Sequence, residues 1–450
     1  MTTVPHVRVR ERAAEAAATR PSVLQGPLAS YYLVLVSTGL LLAIGFVMVL
    51  SASSVRAYST YGSVFAIAVK QGIFIAIGLP AMYFASRIPV RIYRKLGLPL
   101  LLIALFMLVA VLVPGIGRNV DGARRWIPLP MGFNLQPSEI AKLGLSLWGA
   151  DLLVRKKKLL GEWKHLMIPL VPVVGVVAFL VMLEPDMGTT IVVSAILMAM
   201  LWVVGAPGRI FATMLTCALT LGAAMAVAEP YRLRRLTSFT DPCSETQRLD
   251  HGFQACQGLI ALHSGGVFGL GLGASREKWA GGLPNPYTDY VFAIIGEELG
   301  LLGTLTVLLL FATLTFAGIR IAKRTNDPFA RLAATGITVW IAVQALVNMG
   351  TVVGLVPITG IPLPLISFGG SALILTLFGL GMLLAFARTE PGAQKALAQR
   401  KGLVRSRFVK SRIAVPAQRK STGKGPTKAA GRSAPKGKAS TACRPATRRR

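Results

Sequence analysis

Charged side chains are scarce in this sequence, and acidic ones are the scarcest. Only 15% of its 450 residues are charged and 18 are Asp or Glu, whereas 53% are apolar and the mean hydropathy is +0.59. Soluble domains carry about 25% charged and 45–50% apolar residues. The composition therefore excludes an ordinary soluble domain and predicts an integral membrane protein.

Cysteine and cleavage signals are also sparse. The four cysteines lack the paired spacing, and the histidine partners, of a zinc site. The polar segment before Ser30 leads into a long apolar stretch with no small-residue cleavage pattern. We therefore expect a retained first span and not a removed signal peptide.

Basic residues are abundant but unevenly placed. Nineteen of the 49 Lys and Arg residues follow Phe386, in a segment of Lys, Arg, Ser, Thr, Ala, Gly and Pro that offers almost nothing to bury. This composition predicts a disordered tail at 388-450. The tail could recruit cytoplasmic partners or bind anionic lipid, and no nucleic-acid-binding fold accompanies it, so no nucleic acid is expected.

Long apolar stretches supply the fold class. About 20 residues suffice for a helix to cross the hydrocarbon core, and ten such stretches predict an all-α polytopic membrane protein with a large external loop at 229-290. The membrane domain occupies 30-387, after a cytoplasmic segment at 1-29. The predicted spans are 30-52, 68-86, 96-114, 138-154, 166-183, 189-205, 210-228, 291-318, 332-356 and 366-387.

The orientation follows from two short basic loops. RKKK at 155-158 and RIAKR at 320-324 are retained in the cytoplasm by the positive-inside rule, and an even number of spans then places both termini there. The external side receives the segments 115-137, 184-188, 229-290 and 357-365. Ionisable groups at membrane depth collect towards these segments, so we expect the chemistry on the outer face.

Four motifs carry a resemblance. They are NVDGARRWIPL leading into FNLQPSEIAKL, then LEPDMGTT, PYTDYVFAIIGEELGLLG and VNMGTVVGLVPITGIPLPLISFGGSAL, at 119-143, 183-190, 286-303 and 347-373. Together they resemble the SEDS family of peptidoglycan polymerases over nearly all of 31-388. SAS at 51-53, the AIIGEELG spelling and FARTEPGA are more similar to the division branch of that family than to its elongation branch.

The resemblance implies a glycosyltransferase. Its members join lipid II disaccharides on the outer face of the bacterial plasma membrane, at the septum in the division branch, and release undecaprenyl pyrophosphate. The implied catalytic carboxylate is Asp289, which would accept the proton of the attacking hydroxyl. The alternative from the residues alone is that Asp289 only caps the helix of span 8.

Several residues are candidates for binding the substrate. Arg124, Arg125 and Lys278 could hold the pyrophosphate, although for any single one of these external cations contact with lipid phosphates is the simpler explanation. Trp126 resembles the family's loop after span 3. No organic cofactor is expected, and a divalent cation, Mg or Mn, is an alternative source of positive charge. Ser367 could bind substrate or satisfy freed backbone groups.

The other charged residues at the outer ends of the spans have structural and functional interpretations. Glu139 and Lys142 lie on one helix face, as a structural pair or beside the substrate cavity. Glu184 and Asp186 could perturb each other's ionisation, recruit a cation or cap a turn. Of Glu297 and Glu298, Glu297 falls near the helix face of Asp289, and one of the two should pair with a cation.

The remaining expectations concern a disulfide, the partner and three alternative functions. Cys243 and Cys256 lie in the predicted external loop, where oxidation could bridge them. The resemblance implies a class B penicillin-binding transpeptidase as partner, together with other division proteins. A lipid II flippase, an elongation polymerase and a scaffold stay open as alternatives. The absence of matching broken segments in the two halves disfavours the flippase.

Overall fold

The computed structural model describes residues 26, 28–120, 123–130, 133–156, 168–228, 242–244, 252–279, 281–393 and 396. They belong to the first of two compact units, Met1–Ala398. The second unit, Gln399–Arg450, lies outside the described residues. So do most of the predicted N-terminal segment 1-29 and most of the predicted tail 388-450.

Helices make up most of the described part of the chain. In chain order they are α1 Ala29–Tyr61, α2 Ala66–Ala85, α3 Val90–Leu112, α4 Pro137–Arg155, α5 Leu170–Leu183, α6 Met187–Val204, α7 Gly208–Ala228, α8 Phe253–Gly265, α9 Val291–Arg324, α10 Pro328–Val352 and α11 Gly370–Ala387. Three short strands precede α4: β1 Arg118–Val120, β2 Ala123–Leu129 and β3 Phe133–Leu135.

The polytopic membrane architecture is confirmed. Each predicted span coincides with one helix, and seven of the described helices are long and apolar enough to cross a membrane by length and composition. The other three helices on predicted spans are α4, α5 and α7. Hydropathy predicts these helices well because lipid exposure requires continuous apolar runs with internally bonded backbone.

Two local structures within the predicted loops were not expected. The first loop folds into an antiparallel sheet of order β1-β2-β3, in which Arg118 lies opposite Trp126 and Ile127 opposite Leu135. The second is α8, which lies within the predicted large loop and packs on α9. The fold is thus helical in its spans, with a small sheet between α3 and α4.

Helices α4, α10 and α11 are the most enclosed. About two thirds or more of the most apolar stretch of α10 and of α11 is buried, as are most residues of α4, and α10 packs on α4, α6, α9 and α11. In contrast, most of the apolar stretch of α3 and of α9 is not buried, as expected for helices that face lipid. The interior of the bundle therefore lies around α10.

The predicted continuous span 291-318 is wrong in detail, because α9 breaks at Gly300. This glycine has φ 66° and ψ −161°, a backbone conformation that L side chains avoid. The chain after α8 bridges the break. Leu270 N donates to Glu297 O (2.9 Å), and Leu301 N donates to Gly266 O (3.0 Å). Backbone groups released by the break are thereby satisfied.

Ion pairs lie at the end of the bundle opposite Asp289. There Arg94 Nε contacts Asp151 at 2.5 Å, and Arg324 Nε lies 3.3 Å from Glu390, just after α11. Burial is the main cause that raises the pKa of the Glu390 carboxyl. These pairs join α3 to α4 and α9 to the exit of α11.

Replacing Gly265 by alanine is expected to lower stability. A Cβ at this position would lie 1.9 Å from Gly296 O, so α8 and the first part of α9 would have to separate, at about 1–3 kcal/mol. The apparent Tm of the purified protein in detergent measures the loss. Gly39→Ala in α1 is the matched control, because its Cβ would meet nothing within 4 Å. An equal decrease in both variants would contradict the close contact.

Candidate active site

A non-helical segment inside the bundle organises the candidate site. The connecting loop, residues 353–369 between α10 and α11, is buried from Ile361 to Ser367. Two side chains of α10 bind its backbone: Asn348 Nδ2 donates to Ile361 O (2.8 Å) and Gln344 Nε2 donates to Pro362 O (3.0 Å). Non-helical backbone at membrane depth is tolerated where protein covers it, and this loop meets that condition.

Ser367 contributes to the same backbone arrangement. Its hydroxyl accepts from Leu363 N at 2.9 Å, and its carbonyl accepts from Gln71 Nε2 at 3.4 Å. The side chain is therefore engaged within the connecting loop. A direct contact of Ser367 with substrate stays a prediction.

Asp289 lies half-buried immediately before α9 and beside the connecting loop. Its carboxylate accepts from Thr288 Oγ1 (3.0 Å) and from Gln254 Nε2 of α8 (3.4 Å). Its backbone oxygen accepts from Asn348 Nδ2 at 2.7 Å. The side chain of Asn348 thus binds both Asp289 and Ile361. Together with Gln254, it positions the carboxylate relative to α8, α10 and the connecting loop.

The alternative role of Asp289 as a helix cap does not fit the start of α9. The N-cap residue is Tyr290, which makes no side-chain cap hydrogen bond, and Asp289 precedes it. A true acidic cap is present elsewhere, at Asp327, whose carboxylate accepts from Phe329 N and Ala330 N. Capping therefore does not explain the aspartate at position 289.

Glu139 and Lys142 form a fully buried ion pair in α4. Lys142 Nζ lies 2.7 Å from Glu139 Oε1 and donates to Gln344 Oε1 at 2.7 Å. The same Gln344 oxygen accepts from Trp340 Nε1, and Lys142 Nζ lies 5.1 Å from the centre of the Trp340 ring. The pair is thus coupled through one amide to the connecting loop, since Gln344 also binds Pro362.

Arg125 binds the turn between α5 and α6 through backbone oxygens. Its guanidinium donates to Glu184 O at 2.9 Å and to Pro185 O. Asp186 caps α6, accepting from Thr189 N (3.0 Å) and Thr189 Oγ1 (2.8 Å). The expectation of a turn capped by an acid matches the role of Asp186.

The Glu184 carboxyl is fully buried, and neither oxygen has a hydrogen-bond partner among the described residues. Burial raises the pKa of this carboxyl to about 9; the charge of Asp186 adds to the rise and Arg125 opposes it. The group is therefore protonated at neutral pH, since its pKa lies above 7.

Glu297 and Glu298 are both buried in the short first part of α9. Glu297 accepts from Ser275 Oγ (2.6 Å) and Arg276 N (2.8 Å). Glu298 Oε1 accepts from Ser51 Oγ of α1 (2.6 Å) and lies 3.3 Å from Lys278 Nζ. Glu298 is thus the member that pairs with a cation, and neutral donors satisfy Glu297.

The ammonium group of Lys278 is bonded mainly to other groups of the protein. In addition to Glu298 it donates to Gly273 O (2.5 Å) and Ser51 Oγ (3.4 Å), and it is buried. These contacts favour a structural ion pair, and pyrophosphate binding by Lys278 stays a prediction. Arg124 and Trp126 lie half-exposed on β2, where Arg124 pairs with Asn119 and Trp126 with Arg118.

The structure pairs Cys243 with Cys256 in a disulfide, with 2.06 Å between the sulfur atoms. This bond attaches the described residues 242–244 to α8, which also carries Gln254. Other parts of the predicted loop 229-290, including Arg232, Arg234 and Arg235, lie outside the described residues.

The described residues do not assemble a protein metal site. No group of three or more His, Cys, Asp or Glu side chains comes together there in a way that could hold an ion. Glu297 and Glu298 already accept from protein donors. These residues do not fit a resident Mg or Mn ion, and no step is derived through one.

Sequence reasoning missed the neutral residues that connect the site. The most important are Trp340, Gln344 and Asn348, spaced by four on one face of α10 in an otherwise apolar helix. That periodicity was available in the sequence. Gln254, Ser51 and Ser275 were missed as well, and they carry no comparable signal because their partners are distant along the chain.

Fold and site together define a polytopic membrane protein with a polar site at one end of its helical bundle. The model of the FtsW/RodA/SpoVE cell cycle proteins matches residues 31–391. The chain therefore belongs to this family, the SEDS family, and the predicted membership is confirmed.

Curated relatives support the division branch. The chain is 41% identical over 392 residues to the probable peptidoglycan glycosyltransferase FtsW of Mycobacterium tuberculosis, covering 86% of this chain and 74% of the relative. It is 39% identical over 356 residues to the stage V sporulation protein E of Bacillus subtilis, covering 79% and 96%.

Solved structures share the fold. A chain of a peptidoglycan synthase complex, in which polymerization and crosslinking are structurally coordinated, matches with TM-score 0.66 and 27% identity, over 80% of this chain and 97% of that chain. The rod shape determining protein RodA of Thermus thermophilus matches with TM-score 0.58 and 26% identity, over 80% and 96%.

Lys142→Met is expected to destabilise the protein strongly. It leaves Glu139 buried without its counter-charge, which costs about 3–5 kcal/mol. In the double variant Glu139→Gln, Lys142→Met the buried charge is removed as well, and we expect most of the stability to return. Apparent Tm values of both variants in detergent measure this. A double variant as unstable as Lys142→Met alone would contradict a structural ion pair.

Glu184→Gln is expected to stabilise the protein increasingly as the pH rises. The unfolded carboxyl ionises near pH 4.5 and the folded one at about 9, so parent stability falls between these values by at most about 1.4 kcal/mol per pH unit. Glutamine has no such dependence. The Tm difference between variant and parent, measured from pH 5 to pH 9, should grow. A constant difference would contradict a buried, protonated carboxyl.

Proposed function

We propose that this protein is a peptidoglycan glycosyltransferase that joins lipid II disaccharides into glycan strands. The observation that carries the proposal is the placement of Asp289: a half-buried carboxylate held by α8 and fixed through its backbone to α10, in a family whose relatives include probable peptidoglycan glycosyltransferases. Structural relatives within a peptidoglycan synthase complex support it further.

Asp289 serves as the general base of the proposed reaction. A sugar hydroxyl of the acceptor attacks the anomeric carbon of the donor, its proton passes to the Asp289 carboxylate, and the bond to the lipid pyrophosphate breaks. Such proton transfer contributes about 10²–10⁴-fold to the rate. Gln254 and Thr288 donate to the carboxylate oxygens, which orients them before the acceptor binds.

Positive charge near the leaving group comes from the small sheet in this proposal. Arg124 and Arg125 are adjacent on β2, and Arg125 is anchored on the backbone oxygens of the α5–α6 turn. An arginine already fixed in place can stabilise the developing pyrophosphate charge with little reorganisation. Trp126 follows them on the same strand.

The proposed orientation places Asp289 on the outer face of the plasma membrane. The predicted basic loops at 155-158 and 320-324 support this, because Arg155 ends α4 and residues 320–324 end α9, the helix that begins directly after Asp289. Both termini are then cytoplasmic. A site at the division septum, with a class B penicillin-binding transpeptidase as partner, accords with the FtsW relatives and the synthase complex.

Asp289→Ala is expected to abolish polymerisation. The loss should be at least about 100-fold, because the general base is removed. The measurement is glycan polymer formed from lipid II by the purified protein with its transpeptidase partner. Asp289→Asn keeps the size and shape of the side chain, but an amide cannot accept the proton. This variant should therefore be similarly inactive.

Asp327→Ala is the matched control, since Asp327 also precedes a helix but lies away from the site, at the start of α10. It should retain polymerisation while losing about 1 kcal/mol of cap stability. Polymer made equally well by Asp289→Ala would overturn the proposal. Lipid scrambling with no polymer from the parent would favour the flippase.

A further inference from the structure

The lipid-facing band of α9 begins immediately after its break. Residues 291–298 are buried in protein, whereas exposed apolar side chains recur from Leu301 and Leu302 to Ile319. These nineteen residues span roughly 28 Å at about 1.5 Å per residue, close to the thickness of a hydrocarbon core. Leu301 therefore marks one edge of the band that faces lipid.

The segment that bridges the break lies at this edge. Leu301 N donates to Gly266 O (3.0 Å) and Leu302 N donates to Val267 O (3.3 Å). In the other direction Leu270 N donates to Glu297 O and Gly271 N to Glu298 O. Backbone hydrogen bonds therefore fix residues 266–271 beside the first lipid-facing turn of α9.

The side chains of this segment point away from α9. Gly269 faces the helix, because a Cβ there would lie 2.2 Å from Glu298 O. The intervening residues are large, apolar and exposed: Val267 (52%), Phe268 (82%), Leu270 (42%) and Leu272 (62%). We name these four residues the apolar loop face.

We propose that the apolar loop face is a membrane anchor that inserts into the interface of the leaflet on the side of Asp289. Its occupant is lipid, because the face continues the lipid-exposed surface of α9 at Leu301 and Leu302. Insertion leaves few backbone groups unsatisfied, since Leu270 and Gly271 already donate to α9. Apolar faces of this kind enter the bilayer by about 5–10 Å.

This anchor acts on the residues that follow it. Ser275 and Lys278, shortly after Leu272, hold Glu297 and Glu298, and these lie on the short helix that starts beside Asp289. Membrane contact thereby fixes the depth of that helix. The inference depends on the membrane fold and not on the proposed polymerisation, so either can fail alone.

The test measures the environment of a label at Phe268 in lipid nanodiscs. Phe268→Cys is prepared in full-length protein with Cys217→Ser and Cys443→Ser, which leaves the Cys243–Cys256 bridge intact. A nitroxide is attached, and its collisions with oxygen and with a water-soluble nickel chelate are compared. Leu309→Cys, in the middle of the lipid-facing band, and Ser63→Cys, in the exposed α1–α2 turn, are the lipid and water references.

The label at Phe268 should favour oxygen over the chelate, as at Leu309 but less strongly, since the face enters only the interface. Leu272→Cys provides a second reading if the first variant does not fold. A label as accessible to the chelate as that at Ser63 would overturn the proposal. Protection that arises only when the transpeptidase is added would overturn it too, because the face would then be a protein interface.

Discussion

The rest of the site depends on one constraint, the burial of non-helical backbone at residues 361–367. At membrane depth such backbone is tolerated only where its freed carbonyls and amides find partners in protein or in a water-filled cavity. Asn348 and Gln344 supply two of these bonds and the Ser367 hydroxyl a third. Leu365 has φ 67°, a conformation costing about 1–3 kcal/mol, which only a tightly determined surrounding can hold.

The same amides couple this backbone to the charged groups. Gln344 accepts from Lys142 while donating to Pro362, and Asn348 donates to both Ile361 and Asp289. A side chain with two donors and an acceptor is suited to this bridging role. The buried ion pair and the candidate catalytic carboxylate are therefore both bound by one face of α10, whose Gln344 and Asn348 also bind the connecting loop.

Hydropathy predicted the helices that lie on the ten expected spans because a long apolar run is a local property of the chain. The break at Gly300 was not predictable in this way, since it is stabilised by Gly266 and Leu270, which approach from another element. Helix α8, which packs on α9, was missed for the same reason. Within the site, motif and spacing singled out Asp289 and the Glu139–Lys142 pair; the structure confirms the pair as a contact. The bridging amides were overlooked, since no charge marks them.

The break in α9 separates the part of the helix that faces lipid from the part that begins beside Asp289. A spanning helix adjusts its tilt to the thickness of the bilayer, and a continuous helix would transmit that adjustment to Asp289 at its end. In this fold the residues before Gly300 are enclosed by protein and bonded to Ser51, Ser275 and Lys278, whereas those after it face lipid. The break thus keeps a tilt of the remainder of α9 from reaching the carboxylate, whose position is set by the protein interior and whose depth is set, in our proposal, by the apolar loop face.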